Sequence, residues 1–213
     1  MTSRAVKDAI TEPPAQDKDD AAWITIETPL DSVSLRSFVD DVERLYRINP
    51  MLEFDEWRQD DENRFKLSAK NLSNGKRLET FLTVGRNEDG LMVRYSDGLR
   101  RSTHFRIEDR PDGGANLIVT DDYSGTSAEE REARIDEVDK SLVQWGRALH
   151  QYLHQWKRWS RVPGWQFYMR RVWQPMKPMA RRITFILIVI TTAEFVVFLL
   201  FFTIFRLELH KYI

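Results

Sequence analysis

The longest predominantly apolar stretch of the chain runs from Ile183 to Phe205, and it constrains the fold more than any other feature. Its twenty-three residues include a single ionisable side chain, that of Glu194. A helix rises 1.5 Å per residue, so this stretch is about 34 Å long as a helix and can cross a hydrocarbon core of about 30 Å. The sequence therefore predicts a transmembrane helix over 183–205, with a helix buried in a soluble domain as the alternative.

Basic residues are concentrated on one side of this stretch. Eight of them lie between Lys157 and Arg182 without an acidic residue, whereas the short tail over 206–213 has two basic residues and one acidic residue. The positive-inside rule then places everything before the stretch in the cytoplasm. The N-terminus lacks the apolar core of a signal peptide, and the absence of Cys fits a reducing compartment. We therefore expect a tail-anchored, single-pass protein with a cytoplasmic domain, in a bacterial inner membrane.

The chain before the basic region has the opposite charge. Its first 156 residues contain 22 Lys and Arg against 31 Asp and Glu, a net charge of −9, although the whole chain is at −1. Such a domain repels nucleic acid, and it repels anionic lipid except where the basic region touches the headgroups. We expect no nucleic-acid partner. The composition of residues 1–20 predicts a disordered leader.

Apolar periodicity divides the domain, expected over 21–160, into a helix and a meander of strands. Ala22–Glu27 predicts a strand, and Ser32–Tyr46 has apolar residues at helical steps, which predicts a helix that ends before Asn49-Pro50. From Leu52 to Tyr123 the apolar residues alternate in runs, which predicts five or six antiparallel strands. The runs are separated by hairpin-turn sequences, namely Asn74-Gly75, Asp89-Gly90, Asp97-Gly98 and Asp112-Gly113-Gly114.

One long helix is predicted after the meander, from about Ala128 to Trp159. Ser127–Glu130 has the pattern of a capping box. Behind it, apolar residues recur at steps of three and four and form a single stripe, which suits a helix lying on the sheet. A coiled-coil seam is the alternative, although three tryptophans are bulky for a seam. The stripe consists of Ile135, Val138, Leu142, Trp145, Leu149, Tyr152, Trp156 and Trp159.

This order of elements over about Ala22–Trp159 resembles the START-like helix-grip superfamily, also called SRPBCC, which includes the polyketide cyclase/dehydrase and lipid-transport families. The segment from Asp41 to Pro50, DVERLYRINP, is similar to a turn found in many bacterial members. The resemblance implies an α+β fold in which an antiparallel sheet wraps around the long helix and leaves an apolar tunnel for a sterol, phospholipid, quinone, polyketide or hormone. It implies neither a catalytic motif nor a cofactor.

Residues of the inward strand phase and of the helix stripe are the candidates for lining this tunnel. They are Phe65, Leu67, Leu82, Val93, Tyr95, Phe105, Val119, Asp121, Leu142, Trp145, Leu149 and Tyr152. Tyr123 shares the phase of Tyr95 and Asp121. A carboxylate on the inward phase requires a partner or a ligand hydroxyl, unless a bulge turns Asp121 to solvent.

Few side chains in the sequence suit catalysis or metal binding. There is no Cys nucleophile, no G-x-S-x-G elbow and no glycine-rich phosphate loop, which argues against an enzyme. A cyclase-like or hydratase-like reaction would need Asp121, Tyr95 or His104 to converge, and the strand phase turns His104 outward. His150 and His154 are four residues apart but lack further ligands, so we expect solvated helix-end histidines rather than a metal site.

The segment over 161–182 joins the domain to the apolar stretch and is predicted to lie at the headgroup level of the membrane. Its aromatic and basic residues are typical of interfacial segments, with a plain linker as the alternative. The predicted interfacial residues are Trp165, Phe167, Tyr168, Arg170, Arg171 and Trp173. Pro175 and Pro178 separate them from the span.

Glu194 lies near the middle of the predicted span, where a carboxylate is costly. With Thr191 and Thr192 it suggests a polar patch for pairing with another copy or with an integral-membrane protein. The alternatives are a carboxyl that is simply protonated in lipid, and a proton-transfer group.

The sequence as a whole predicts a membrane-anchored START-like domain that binds an apolar ligand such as a lipid, a quinone or a polyketide-like or isoprenoid-like molecule. The alternative is a non-catalytic accessory subunit of an integral-membrane complex.

Overall fold

The computed structural model describes residues 21–124, 129 and 141–209. The chain divides into two compact units, the first ending at Pro175 and the second beginning at Met176. The predicted leader, the capping box, and Ile135 and Val138 of the predicted stripe lie outside the described residues.

A seven-stranded antiparallel sheet forms most of the first unit. Strand β1 is followed by two short helices and then by six strands in a meander, and β1 pairs with the last strand to give the order β1-β7-β6-β5-β4-β3-β2. This confirms the predicted α+β fold. The bounds are β1 Ala21–Thr28, α1 Ser32–Val39, α2 Val42–Arg47, β2 Leu52–Asp61, β3 Arg64–Asn71, β4 Arg77–Asn87, β5 Gly90–Tyr95, β6 Ser102–Asp109 and β7 Ala115–Asp122.

The helix predicted over Ser32–Tyr46 is in fact two helices. The backbone N–H of Asp40 bonds back to Arg36 and Phe38, which ends α1. The Asp41 side chain accepts a hydrogen bond from the Arg44 backbone N–H and so caps the start of α2. Aspartate favours such caps over helix interiors because its side chain bonds the local backbone, and the apolar spacing continues across the break.

The predicted hairpin turns are confirmed, with positive φ at Gly75, Gly90, Gly98 and Gly113. Gly90 is the most constrained of them. A Cβ atom there would collide with the backbone carbonyl of Phe105 on the neighbouring strand. The turn into β5 therefore requires glycine for conformation and for close strand approach.

Helix α3, Leu142–Trp159, covers the apolar face of the sheet as the stripe predicts. Gly146 allows close approach to β1, because a Cβ at this position would collide with Ile24. Trp145 is 1% exposed, its ring contacts Tyr46 and Phe105, and its indole N–H donates to the Leu45 carbonyl at 3.0 Å. The buried tryptophan therefore links α3, α2 and the sheet in one core.

A short helical segment completes the first unit. Helix α4, Trp165–Tyr168, follows a turn at Gly164 with φ of 81° and continues as a π-helical turn over Met169–Trp173. Met169 is buried and anchors this segment to the core.

The second unit consists of helix α5, Pro178–Leu209, which contains the predicted span 183–205. Among the described residues it is the one helix long and apolar enough to cross a membrane. Its side chains from 185 to 208 are exposed within this unit.

Candidate functional site

A pocket of about 330 Å³ opens at one end of the sheet. Strands β3, β5 and β7 end there, and β4 and β6 begin there, so several turns and loops meet around it. Its volume falls within the range of about 300–1,000 Å³ of small-molecule sites. The lining residues are Asn71, Asn74, Lys76, Arg77, Leu78, Glu79, Tyr95, Asp97, Gly98, Leu99, Arg100 and Tyr123.

A chain of three hydroxyl groups ends at a buried carboxylate, and its middle member, Tyr95, lines this pocket. Tyr46 Oη lies 2.5 Å from Tyr95 Oη, which lies 3.1 Å from Thr103 Oγ1. Thr103 donates in turn to Asp121 Oδ1 at 2.5 Å. A carboxylate only accepts, so Thr103 must accept from Tyr95 and Tyr95 from Tyr46. All three hydroxyls therefore donate in one direction, an arrangement in which each bond strengthens the next.

Arg100 balances the charge of this carboxylate. Its Nη1 lies 3.1 Å from Asp121 Oδ2, and the side chains of the pair are 10% and 1% exposed. The guanidinium also lies over the Tyr95 ring, 4.4 Å from its centroid. Arg100 and Tyr95 both line the pocket, so its wall presents a guanidinium held in place from behind by a buried acid.

Burial favours the neutral form of Tyr46 and Tyr95, the two tyrosines whose hydroxyls belong to this hydrogen-bonded chain. It raises the pKa of Tyr46 well above the ordinary value of 10.0, with a further contribution from Tyr95. Burial likewise raises the pKa of Tyr95, although the Arg100 charge opposes this. At neutral pH both groups are therefore hydrogen-bonding hydroxyls and not phenolates.

A second buried arginine lies in the same unit, on α2. The Arg44 guanidinium lies between the rings of Phe38 and Trp156, at 4.5 and 5.1 Å from their centroids. Its Nε lies 3.4 Å from Asp41 Oδ2 and forms no hydrogen bond with the described residues. Burial lowers the pKa of Arg44, and Asp41 opposes this.

The segment after α3 packs beside Arg44. Tyr152 of α3 stacks on Trp156 and contacts the Trp173 ring, at centroid distances of 6.0 and 5.8 Å. The Gln174 side-chain amide lies 3.5 Å from Tyr152 Oη, and Arg170 lies 3.8 Å from Asp41. This end of the unit, here called the neck end, is therefore held by aromatic contacts and a few weak polar ones.

The six residues predicted to be interfacial separate into two groups. Trp165, Tyr168 and Trp173 are half-buried and pack against the hydrophobic core. Phe167, Arg170 and Arg171 are exposed, and Phe167 retains 68% of its surface. Contact with a membrane stays a prediction for the exposed group.

The residues predicted to line a tunnel also separate. Tyr95 lines the pocket, and the inward position predicted for Asp121 is confirmed, since it is 1% exposed. The other ten belong to the hydrophobic core or pack against it. A tunnel lined by these ten stays a prediction.

Three residues that contact Tyr95 or Asp121 are absent from the predicted site, namely Tyr46, Arg100 and Thr103. Thr103 shares the inward phase of Phe105, which could have identified it. Arg100 lies in a loop without periodicity, and Tyr46 lies between Leu45 and Arg47 near the end of a helix, so neither carries a signal.

The histidines have separate environments. His104 is exposed, as its strand phase predicts, and its Nε2 lies 3.1 Å from Ser102 Oγ. The rings of His150 and His154 lie 4.4 Å apart, and His150 Nδ1 lies 2.9 Å from the Glu27 carbonyl.

In α5, the Thr192 hydroxyl bonds the Ile188 carbonyl of its own helix at 2.7 Å. Thr192 is therefore engaged locally, whereas Thr191 and Glu194 are exposed. Their role in pairing stays a prediction.

Comparison with known proteins identifies the fold. The Zhui aromatase/cyclase from Streptomyces sp. R1128 has a TM-score of 0.50 and is 14% identical, over 68% of this chain and 97% of that chain. A START superfamily protein from Mycobacterium smegmatis has a TM-score of 0.49 and is 16% identical, over 64% and 98%. No family model and no curated protein matches the chain. The first unit therefore has the START-like helix-grip fold, and at this identity the likeness extends to the fold alone.

Proposed function

We propose that this protein is a membrane-anchored START-like binding protein. Its pocket takes an apolar molecule, such as a lipid, a quinone or a polyketide-like or isoprenoid-like compound, with an oxygen-bearing group against Arg100. The single observation that supports this is that Arg100, which lines the pocket, pairs with the buried Asp121, at which a chain of three aligned hydroxyls ends. Burying an ion pair gives a domain little net stability, so its position beside a pocket favours a role in recognition.

The pocket lining suggests how such a molecule would be oriented. Leu78, Leu99 and the rings of Tyr95 and Tyr123 offer apolar surface, and Arg100 offers N–H donors. Because Asp121 already neutralises Arg100, a neutral carbonyl or hydroxyl oxygen fits the wall better than a second carboxylate.

Binding fits the geometry better than acid–base catalysis. Tyr95 and Asp121 converge, as a cyclase-like reaction would require, but His104 points away from them. The Tyr95 proton is directed toward Thr103 and Asp121, so it is engaged inside the protein. A neutral tyrosine with a raised pKa is also a weak acid for catalysis at neutral pH.

Helix α5 would anchor this domain to its ligand source. Its length and apolar composition suit a single span, and the basic residues before it would keep the domain in the cytoplasm.

The test begins with the full chain purified from its host in mild detergent. Organic extraction and mass spectrometry should recover an apolar, oxygen-containing molecule. Two added probes should then distinguish the contribution of carbonyl oxygens from that of the apolar rings. Menadione should raise the unfolding temperature more than 2-methylnaphthalene, which has fused rings of similar shape but no carbonyl groups.

The matched variants test the wall. An Arg100→Met/Asp121→Leu double variant should lose the preference for menadione. Arg94→Met should keep it, because Arg94 precedes Tyr95 in the same strand but is exposed. Recovery of no apolar molecule, together with equal effects of the two probes on the native chain, would contradict the proposal.

A second candidate function is that of an accessory subunit in a membrane complex. It is favoured by the exposed Glu194 within the apolar α5. Loss of a co-purifying membrane protein in Glu194→Leu, with unchanged extracted ligand, would support this function.

A further inference from the structure

The surface between residues 157 and 171 combines charge and apolar exposure in a way that the fold itself does not require. It contains five basic residues and no acidic one. Three large apolar side chains are exposed among them: Phe167 at 68%, Val162 at 44% and Trp159 at 41%. We call this the basic apolar surface.

Helix α4 and its π-helical turn explain why part of this surface faces outward. Trp165, Tyr168 and Met169 supply the side packed against the core, so the packing of the segment is complete without Phe167. Trp159 and Trp165 are in ring contact at 5.9 Å, which joins the end of α3 to α4. The exposed residues of the two elements therefore belong to one neighbourhood of the domain.

We propose that the basic apolar surface docks on an anionic lipid bilayer, with Phe167 inserted at the headgroup level. Resting on the proposed anchoring by α5, this inference adds a second, lipid-selective contact. Phe167 precedes Pro178, where α5 begins, by eleven residues. Such a segment spans at most about 40 Å, so the surface stays within reach of the membrane that α5 would cross.

Charge complementarity selects anionic lipid over other occupants. Basic residues are attracted to an anionic membrane surface, and exposed aromatic residues settle at the headgroup level. The rest of the domain carries a net charge of −9 and is repelled, so it would turn away from the lipid.

The test uses the absence of Cys, which allows one label per chain. Gln166→Cys, adjacent to Phe167 and exposed, carries a spin label in the full chain reconstituted into vesicles. With phosphatidylcholine and phosphatidylglycerol at about three to one, the label should lose most of its accessibility to a water-soluble nickel chelate and gain accessibility to oxygen. In pure phosphatidylcholine it should stay accessible to the chelate.

Matched variants give the controls. Val33→Cys, at a residue 78% exposed on α1, should stay accessible in both vesicles. In the Gln166→Cys background, Phe167→Ser should reduce protection, and Arg158→Gln/Arg171→Gln should weaken its dependence on phosphatidylglycerol.

Each remaining outcome contradicts the inference in a distinguishable way. Equal protection in the two vesicles would exclude selection by lipid charge, and no protection would exclude docking on lipid, as expected if the surface binds a protein. If the chain did not float with the vesicles after carbonate washing, the proposed anchoring by α5 would be refuted. This inference would then fail as well, because it rests on that anchoring.

Discussion

Among the described residues, Arg44 and Arg100 have largely buried side chains and show two ways of placing a cation inside a protein. At the pocket, Arg100 pairs with Asp121, whose side chain is 1% exposed and accepts a hydrogen bond from Thr103, the last hydroxyl of the chain. At the neck end, the Arg44 guanidinium lies between two aromatic faces and donates to the Phe38 carbonyl at 3.3 Å, and its acidic partner Asp41 is 36% exposed. At the pocket, the buried polar groups are therefore held by directional hydrogen bonds. At the neck end, aromatic contacts and a partly exposed acid surround the cation.

The first way to test this difference is to remove the acid at the pocket, for which we expect the largest effect. Asp121→Ala removes the buried carboxylate that faces the Arg100 guanidinium and should lower the free energy of unfolding by about 3–5 kcal/mol. Denaturant unfolding of the full chain in detergent, followed by tryptophan fluorescence, measures it. The Arg100→Met/Asp121→Leu double variant should recover most of the loss. A single-variant loss below about 1 kcal/mol would show that the pair is not effectively buried.

The second test is the matching change at the neck end. Arg44→Met keeps an unbranched chain between the Phe38 and Trp156 rings and removes the buried charge, so it should cost only about 1–2 kcal/mol in the same unfolding measurement. Arg44→Ala, which also removes the packed stem, should cost more. A loss for Arg44→Met as large as that for Asp121→Ala would mean that the two arginines are held alike.

The third test sharpens the comparison through the tyrosines. Tyr46→Phe removes the first hydroxyl of the chain and should cost about 1 kcal/mol. Because burial raises the pKa of Tyr46, the folded state holds this proton more tightly than the unfolded state does. That stabilisation is complete below pH 10 and is lost as pH rises through the folded pKa.

The measurement for this pH dependence is phenolate absorbance with parallel unfolding at alkaline pH. Tyr46→Phe should remove a step well above the ordinary tyrosine range and flatten the loss of stability. Tyr152→Phe at the neck end is the matched variant, because burial raises the pKa of Tyr152 but the nearby Arg44 charge opposes it. An unchanged titration in Tyr46→Phe would contradict the burial of this hydroxyl.

The smallest effect is expected at the surface of the neck end. Arg170 is 56% exposed and lies 3.8 Å from Asp41, so Arg170→Gln should change the free energy of unfolding by about 0.5 kcal/mol or less. A larger loss would mean that Arg170 stabilises the neck end and is not mainly a surface charge.

The fold could be predicted from the sequence because its signals are local. Alternation, the glycine turns and the stripe of α3 each repeat over several residues, and each corresponds to an observed element. The sequence does not delimit strand β2, because register shifts near Glu56 and Asp61 interrupt its alternation at the edge of the sheet. The break at Asp41 was hidden for a related reason, since the apolar spacing crosses it unchanged.

The site was predictable only where it follows strand phase. Asp121 and Tyr95 were found because alternation turns them inward. Their hydrogen-bonding and ionic partners come from other parts of the chain. Tyr46 lies in a helix 49 residues before Tyr95, and Arg100 lies in a loop 21 residues before Asp121. Such meetings depend on tertiary packing, for which a single sequence carries no periodic signal.

Helix α2 gives the two regions a common mechanical element. It is six residues long, and it carries Arg44 toward the neck end and Tyr46 toward the pocket, with the Leu45 carbonyl between them fixed by the Trp145 indole. A rigid-body rotation of so short a helix displaces both side chains at once. A substitution that displaced α2 would therefore move one side chain of each region.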